Sequence, residues 1–361
     1  MSGIKKPKAF STFYLETGPE FSDNLDKHEM DHLPRGQNLR EQDLYGNSFY
    51  THLGAKLQIH PNISMYAGFS NLRISKQAGL QYAWNSPDSI VQYEWGYKKF
   101  FPSRPKVETS SYDYTLKQNG VYVNANILLG RGWSFTPALN YVHVNTKSID
   151  IDNNSSFVRD TAYYNQAIDS MSFLYYNQIR FDIRPTTLIL NNFVVSLAFN
   201  KQISVFDLGI FGSWSNLNDL HQIQFGASVT YYPFGNLNFY GNTTIKGLSE
   251  EKKSRAVFSQ MLGGKVARFL WMEGFVSFGN LRGTNESNAF IVYNISDEIN
   301  LKTGVNLTFV ISPAVQLSIR YQYLQKQGYR TVSRPGMPRE MRIEELNYTN
   351  QSIIGGLKWT L

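Results

Sequence analysis

The sequence of 361 residues contains no cysteine, few charges and no long apolar run. Without cysteine, the chain has no disulfides, no thiolate metal sites and no cysteine nucleophile. Charged residues make up 17% of the chain, below the usage that is typical of soluble domains. No segment approaches the roughly 18 consecutive apolar residues that a membrane-spanning helix needs. These absences exclude disulfide-stabilised folds and helical membrane proteins.

Aromatic residues, in contrast, are abundant. They make up 15% of the chain, with 23 Tyr and 24 Phe, while the mean hydropathy is negative. Many aromatic residues, few charges and no long apolar run are expected when lipid-facing residues alternate with lumen-facing ones in a membrane β-barrel.

Alternation with a period of two residues runs through most of the chain. One clear segment places apolar residues on one face and polar residues on the other: Leu301, Val305, Leu307 and Phe309 against Asn300, Lys302, Asn306 and Thr308. Such segments are about ten residues long, the length of a tilted transmembrane strand. Soluble sandwiches and propellers also alternate, but with strands about half as long.

The alternation predicts an all-β, transmembrane antiparallel up-and-down β-barrel in a single domain, residues 1–361. We expect fourteen strands, at residues 9–17, 47–59, 63–75, 119–129, 133–147, 188–199, 202–214, 221–232, 237–248, 255–267, 270–282, 298–311, 314–326 and 347–361. The number is even, as in bacterial barrels. Sixteen strands remain an alternative, because the apolar runs 171–184 and 288–295 could be further strands or loop hairpins. Residues 1–46 form a partly polar N-terminal segment with a possible first strand.

Short and long connections alternate along the chain. Tight turns are predicted at residues 60–62, 130–132, 200–201, 233–236, 268–269 and 312–313. The long connections, residues 76–118, 148–187 and 327–346, then all fall at the opposite end, as outer-membrane barrels arrange them. A change of phase near Asp207 predicts a β-bulge.

The last strand stops on an apolar residue, in the sequence Leu357-Lys-Trp-Thr-Leu361. On this strand and the overall pattern, the chain resembles the outer-membrane β-barrel proteins of Gram-negative bacteria. The ending looks like the C-terminal signal read by the barrel-assembly machinery, in which a terminal Phe is commoner. The abundance of Asn and Tyr is similar to uncharacterised barrels of the Bacteroidota. The resemblance implies the cell outer membrane, in contact with membrane lipid and lipopolysaccharide.

The N-terminus begins Met-Ser-Gly-Ile-Lys-Lys-Pro and lacks the apolar core of a secretory signal. A barrel cannot reach an outer membrane without such a signal. We therefore expect that the N-terminus has been removed or replaced, or that the chain is the C-terminal part of a longer precursor.

No catalytic motif is present. The sequence has no Gly-x-Ser-x-Gly elbow, no His-Glu-x-x-His and no P-loop, and it contains six His. We expect no enzyme activity, no cofactor and no metal. Barrel hydrolases of the rim use residues that are dispersed in sequence, so a lipid or peptide hydrolase is retained as a third alternative.

The polar faces of the strands carry mostly positive charge. The basic residues in phase with the lumen are Lys56, Lys246, Lys265, Lys302, Arg320 and Lys358, and Glu273 is the clear acidic counterpart. A ring of basic side chains concentrates anions, so the pattern favours small anionic solutes. Alternatively, some of these lysines extend to interfacial phosphates. Basic residues are not clustered on one element, which argues against nucleic-acid binding.

The long connection 76–118 is unusually aromatic. Its aromatic residues include Trp84, Trp95, Tyr97, Phe100 and Phe101. An aromatic loop is costly to leave in water. Four hypotheses follow: the loop narrows the lumen, stacks on carbohydrate, binds a partner protein in the outer membrane, or extends the neighbouring strands.

A six-residue motif recurs at two strand ends, as Gly68-Phe-Ser-Asn-Leu-Arg73 and Ser277-Phe-Gly-Asn-Leu-Arg282. Both copies place Arg just beyond an apolar pair, where we expect the outer rim and its charged lipid headgroups. The whole pattern favours a channel or transporter for small solutes. The alternative is a non-conducting structural or partner-binding barrel in an envelope complex.

Overall fold

The computed structural model describes residues 10–30, 39–85, 90–94, 97–100, 105–154, 156–165, 170–178, 180–251, 253–334 and 337–361. Within these ranges, fourteen antiparallel strands close into a barrel. The predicted fold class and the predicted number of strands are therefore confirmed. In the same part of the chain, no helix has the length and apolar character needed to cross a membrane.

The described residues form twenty strands and two short helical turns. In chain order they are β1 (Phe10–Ser22), α1 (Asn24–Lys27), β2 (Leu39–His60), β3 (Ile63–Asn85), β4 (Ile90–Glu94), β5 (Tyr97–Phe100), β6 (Pro105–Gly130), β7 (Trp133–Asn153), β8 (Ser156–Asn165), β9 (Ser170–Gln178), β10 (Phe181–Ile203), β11 (Phe206–Ser215), a 3-10 turn (Leu217–Asp219), β12 (Gln222–Tyr231), β13 (Phe239–Glu250), β14 (Lys253–Ala267), β15 (Leu270–Phe278), β16 (Asn285–Glu286), β17 (Ile291–Val292), β18 (Glu298–Val310), β19 (Val315–Arg334) and β20 (Met337–Thr360).

The ring runs β1-β2-β3-β6-β7-β10-β11-β12-β13-β14-β15-β18-β19-β20, and β20 closes it by pairing with β1. The closing strand thus has partners on both sides, since Leu357 lies opposite Leu15 of β1 and Leu317 of β19. The remaining strands form three small hairpins outside the ring, β4–β5, β8–β9 and β16–β17.

The two faces of each strand differ as a membrane barrel requires. On β10, Val194, Ser196 and Ala198 are buried inside, whereas Val195 and Leu197 are 44% and 46% exposed outside. Successive side chains point to opposite faces of a strand, so this alternation separates a small or polar interior from an apolar exterior. The exterior is suited to lipid.

The wall of the barrel is tall on one side and low on the other. Strands β2, β3, β6, β7, β10, β19 and β20 contain 20 to 26 residues, whereas β11 to β15 contain 9 to 15. About ten residues cross a bilayer, so the tall strands project beyond it at the end with the long connections, which we call the loop end. We call the opposite end the turn end.

At the loop end, the tall wall is packed as a small core of its own. Leu80 and Tyr82 of β3 are buried against Phe181 and Ile183 of β10. Residues 39–42 of β2 also pair with residues 330–333 of β19, although β20 and β1 separate these strands in the ring. The top of the β19–β20 hairpin therefore bends away from the wall toward β2.

Two local predictions are wrong. The turn after β10 lies at residues 204–205 rather than 200–201, because Ser204 adopts the positive φ of 52° that a tight hairpin turn needs. Asn200 and Lys201 are still paired in the strand. There is no bulge at Asp207, since β10 and β11 pair without interruption from Ile203 to Val194. The apparent change of phase came from the misplaced turn.

The long connections are mostly strand. Residues 76–118 continue β3 and β6 and hold the β4–β5 hairpin, and residues 148–187 continue β7 and β10 and hold β8–β9. The apolar run 171–184 thus belongs mainly to a loop hairpin and to β10. The run 288–295 lies in the connection from β15 to β18, which enters the barrel.

Candidate functional site

The connection from β15 to β18, residues 279–297, turns into the barrel; we call it the inward loop. It begins at Gly279, whose φ of +109° is a conformation that glycine adopts and other residues avoid. A Cβ at this position would lie 2.3 Å from the carbonyl oxygen of Ala256 on β14. Asn280 then forms a tight turn, because its side-chain oxygen accepts a hydrogen bond from the amide of Arg282 at 3.0 Å. The sequence therefore permits the chain to leave the wall at this point.

The base of the inward loop is fixed by apolar and charged contacts. Leu281 is fully buried and packs in a cluster with Ile299 of β18. Arg282 forms an ion pair with Glu250 of β13 at 3.1 Å, and Glu250 also bonds Arg255 of β14. A guanidinium nitrogen of Arg255 donates to the carbonyl of Arg282 at 2.8 Å. One carboxylate thus joins two arginines at the point where the loop begins.

The tip of the inward loop reaches the opposite wall. The side-chain amide of Asn140 on β7 donates to the carbonyl of Ala289 at 2.7 Å. The hydroxyl of Tyr122 on β6 donates to the carbonyl of Asn288 at 3.1 Å. In the ring, β6 lies seven strands from β15 in either direction. The loop therefore crosses the full width of the lumen.

Phe290 anchors the tip in an aromatic pocket of the wall. Its ring centroid lies 5.0 Å from that of His52 on β2, 5.2 Å from that of Tyr122 and 6.0 Å from that of Tyr66 on β3. The ring planes are close to perpendicular, which is a favourable arrangement for aromatic pairs. A hydrogen bond of 2.5 Å joins His52 Nε2 to the Tyr66 hydroxyl and holds two of these rings in place.

Glu286 anchors the middle of the loop by charge. Its carboxylate lies 2.5 Å from Nζ of Lys302 on β18 and 3.5 Å from Nζ of Lys246 on β13. It also accepts a hydrogen bond from the Tyr293 hydroxyl at 2.7 Å. Burial alone would raise the pKa of this carboxyl, but the two ammonium groups lower it to about 2. The loop is thus held by a carboxylate that stays charged.

Amide side chains complete the attachment. Gln224 of β12 both donates to the carbonyl of Asn285, at 3.0 Å, and accepts from its amide, at 3.1 Å. The Asn285 side chain donates to Ser213 of β11 at 2.8 Å. Further along, Asn294 donates to Asn192 of β10 at 3.0 Å. The buried polar groups of the loop are therefore paired with the wall on several strands, as burial requires.

A cavity of about 650 Å³ remains beside the inward loop. The charged groups that line it are four cations and four carboxylates: Lys246, Lys302, Arg320, Lys326, Glu16, Glu20, Glu273 and Glu286. Most of them are paired, for example Arg320 with Glu16 at 2.9 Å and Lys326 with Glu20 at 3.3 Å. The formal charge of the lining is zero, so the middle of the lumen attracts neither sign of solute strongly.

The turn end of the lumen has a different charge. A smaller cavity, of about 390 Å³, lies beside Phe290 and is lined by both Lys56 and Glu16. Lys265 and Lys358 lie on the lumen faces of β14 and β20 near the same end. In the described part of the chain, none of these three lysines forms an ion pair. Three lysines without an ion pair in the described structure thus face the lumen at this end, where Asp207 of β11 is the acidic residue in phase with the lumen.

The structure separates the six predicted basic residues into two groups. Lys246, Lys302 and Arg320 line the main cavity, where they have acidic partners, and Lys56, Lys265 and Lys358 lie toward the turn end. Sequence reasoning missed Glu16, Glu20, Glu286 and Lys326. Glu16 and Glu20 are four residues apart on β1, and Lys326 is in phase with Arg320, so the alternation could have identified these three. Glu286 carried no such signal, because it lies in a loop.

The predicted aromatic group of the loop end falls partly outside the described residues. Trp95 and Phe101 are outside them. Trp84 lies near the end of β3, in the tall wall, whereas Tyr97 and Phe100 are the first and last residues of β5, in a hairpin outside the ring. Within the described residues, the inward loop lies in the lumen and narrows it.

Two of the described histidines, His52 and His143, give no support to the third alternative, a rim hydrolase. His52 contacts tyrosine and phenylalanine rings, and His143 bonds the side-chain oxygen of Asn191 at 2.9 Å. A hydrolytic site needs a nucleophile that is activated by a base. Neither of these two histidines has a serine or threonine hydroxyl among its hydrogen-bond partners in the described structure.

Comparison with known proteins shows the fold. No known family profile and no curated protein matches the sequence. Among solved structures, the deltaS2 mutant of the monoaromatic hydrocarbon channel TodX has a TM-score of 0.50 at 8% identity, covering 99% of this chain and 91% of that one. The toluene transporter TodX of Pseudomonas putida gives 0.49 at 7%, covering 98% and 90%. A FadL homologue of Pseudomonas aeruginosa gives 0.38 at 9%, covering 98% and 89%.

At such low identity the likeness is one of fold, and a fold does not fix a function. The similarity to barrels of the Bacteroidota stays a prediction. The closed ring, the apolar exterior and the sorting of short turns from long loops agree with the resemblance seen in the sequence. The turn end then faces the periplasm and the loop end faces outward. The chain is a fourteen-stranded β-barrel of the Gram-negative outer-membrane type, located in the cell outer membrane.

Proposed function

We propose that this protein is a channel for small solutes and that the inward loop sets the size limit for passage. The observation that carries the proposal is the course of the loop, which crosses the lumen from β15 to β6 and leaves a cavity of about 650 Å³ beside it. A wide, unobstructed lumen would suit non-selective diffusion. A loop bonded to both walls suits selection by size.

The charges of the lumen suggest the chemistry of the solute. Four cations and four carboxylates line the main cavity, which suits polar solutes that are uncharged or carry both signs. We retain the prediction of anion preference and propose that it arises from Lys56, Lys265 and Lys358 at the periplasmic end. Because these lysines lack ion pairs in the described structure, they supply a positive potential at one mouth of the channel.

Single-channel recording in planar bilayers tests the proposal. The purified wild-type protein should show small, uniform conductance steps. A variant in which a short Gly-Ser linker replaces residues 280–296 should show steps that are several-fold larger. The matched control shortens the loop-end hairpin β8–β9, which is outside the ring, and should conduct like the wild type. Silence of both the wild type and the loop-deleted variant would overturn the channel proposal.

Reversal potentials in a salt gradient test the selectivity. The wild type should favour anions weakly, and the triple variant K56Q/K265Q/K358Q should lose that preference. The variant E20Q/K326Q is the control and should keep the preference, because it removes a whole ion pair and leaves the formal charge of the main cavity at zero. Cation preference of the wild type would contradict the proposed role of the three lysines.

A second candidate function follows from the same loop. Because the described contacts attach it to both walls, the loop could close the lumen in a structural or partner-binding barrel. The distinguishing result is a silent wild type combined with a conducting loop-deleted variant. That result would make the inward loop a plug and would favour the scaffold.

A further inference from the structure

Two cations face each other on the outer surface of the tall wall. Arg73 of β3 and Lys117 of β6 are directly opposite in the antiparallel register. Both side chains are exposed. Their neighbours Leu72 and Gln118 line the lumen, so Arg73 and Lys117 point outward. The Cβ atoms of two residues that are directly opposite in an antiparallel pair lie only about 5 Å apart.

The pair lies where the apolar exterior ends. On the same outer face, two positions toward the periplasm, Asn71 donates to Asn119 at 2.7 Å. Two positions further, Phe69 and Val121 are each 47% exposed, as lipid-facing residues are. Toward the loop end, the outward residues of these two strands change from apolar to amide to cationic. This order places the charges at the level of lipid headgroups.

Neither cation has a counter-charge within the described structure. Like charges directly opposite each other destabilise a strand pair. On the same outward face, the next acidic residue of β6 is Asp113, two positions beyond Thr115, and its carboxylate accepts from Gln77 of β3 at 2.9 Å. An anion from outside the protein would relieve the repulsion.

The neighbouring strand adds polar groups at the same level. In the register of β6 and β7, His143 lies opposite Asn119 and Asn145 opposite Lys117. The patch thus combines a guanidinium, which binds phosphate in a bidentate way, an ammonium, and amide and imidazole groups that bond sugar hydroxyls.

We propose that Arg73 and Lys117 bind a phosphate group of an outer-leaflet glycolipid, with Asn119, His143 and Asn145 contacting its headgroup. The site is on the outside of the barrel and is independent of transport through the lumen. Its phosphate chemistry would also accept free inorganic phosphate, and the test below separates the two sources.

Native mass spectrometry of the full chain in detergent tests the site with three probes: a bis-phosphorylated lipid A, the same lipid without phosphates, and inorganic phosphate. The wild type should retain the phosphorylated lipid, and the variant R73Q/K117Q should retain several-fold less. The control R131Q/R268Q makes the same charge change at exposed periplasmic turns and should bind like the wild type. Far-UV circular dichroism verifies that each variant is folded.

Three results would overturn the proposal. They are equal retention by the wild type and R73Q/K117Q, an equal loss in R131Q/R268Q, and equal binding of the lipid with and without phosphates. If inorganic phosphate displaced the lipid completely at equal concentration, the site would be one for free phosphate and the lipid assignment would be wrong.

Discussion

The residues from Gly68 to Arg73 and those from Ser277 to Arg282 have nearly the same sequence and take different courses. In the first copy β3 continues through Arg73 to Asn85, and Arg73 is exposed on the outer surface. In the second copy β15 ends at Phe278, and Arg282 turns inward to Glu250. The prediction that both arginines face lipid headgroups is therefore wrong for Arg282.

The third residue of the motif explains why the first copy continues as a strand and the second turns inward. It is Ser70 in the first copy, within a regular strand, and Gly279 in the second, where φ is +109° and a Cβ would meet a backbone oxygen. A strand can carry either residue, but the inward turn needs glycine. The residue at this one position therefore determines whether the chain continues in the wall or turns into the lumen.

The largest expected effect comes from breaking the charged anchor beyond the second copy. Changing Glu286→Gln leaves the ammonium groups of Lys246 and Lys302 buried without their carboxylate. Removing one partner of a buried pair costs about 3–5 kcal/mol, so the loop should detach from the wall. Chymotrypsin should then cut after Phe290 or Tyr293 much faster than in the wild type. Glu273→Gln, whose carboxylate accepts from neutral Tyr240 and Asn306, is the control.

The next effect comes from making the two copies alike. Gly279→Ser should strain the inward turn by about 1–3 kcal/mol, because a side chain is forced into a positive φ against Ala256. Hydrogen exchange of the loop amides should accelerate. The reciprocal change Ser70→Gly should leave β3 continuous and cost only about 0.5–1 kcal/mol. Equal exchange in the two variants would contradict the role given to Gly279.

A smaller effect separates the two arginines. Arg282→Gln should weaken the base of the inward loop by about 1 kcal/mol, since Glu250 keeps its contact with Arg255. Arg73→Gln should change the free energy of unfolding by less than about 0.5 kcal/mol, because Arg73 lies on the surface. Thermal unfolding in detergent compares them. A larger loss for Arg73→Gln would show that the assignment of inside and outside is reversed.

Acid pH should act on the same anchor as Glu286→Gln. The pKa of Glu286 is lowered from 4.5 to about 2, so its contribution to loop stability is complete above pH 4.5. That contribution is lost as the pH falls from 4.5 toward 2. Conductance should therefore be the same at pH 8 and pH 5 and should rise near pH 3. A rise between pH 8 and pH 5 would contradict the assignment to Glu286, and Glu286→Gln should remove the step.

Much of the barrel could be predicted from the sequence, because each membrane-crossing strand carries a local alternating signal. The signal fades beyond the membrane, where the outer face of β6 carries Thr109, Ser111 and Asp113 instead of apolar residues. The tall wall was for this reason assigned mostly to loops. The turn at residues 204–205 was missed because Ser204 is not a typical residue for a positive φ.

The inward loop could not be predicted in the same way. Its position depends on contacts between residues far apart in sequence, such as Phe290 with His52 and Glu286 with Lys246. The sequence showed an apolar run at 288–295 and the recurring motif. However, no local pattern distinguishes a loop hairpin above the membrane from one inside the lumen. The basic lumen residues were found because they lie on strands, and their acidic partners on β1 and in the loop were not.

The most direct measurement of the central claim is a cross-link across the lumen. The chain contains no cysteine, so the two introduced cysteines are the only thiols that can react. Because the side chain of Asn140 reaches the carbonyl of Ala289 at 2.7 Å, the pair N140C/A289C should be joined within one molecule by a short bifunctional thiol reagent. The pair N140C/S259C, with both cysteines on the wall, should not. If both cysteines of N140C/A289C instead stayed free to react with a maleimide, the loop would not cross the lumen and the account would be wrong.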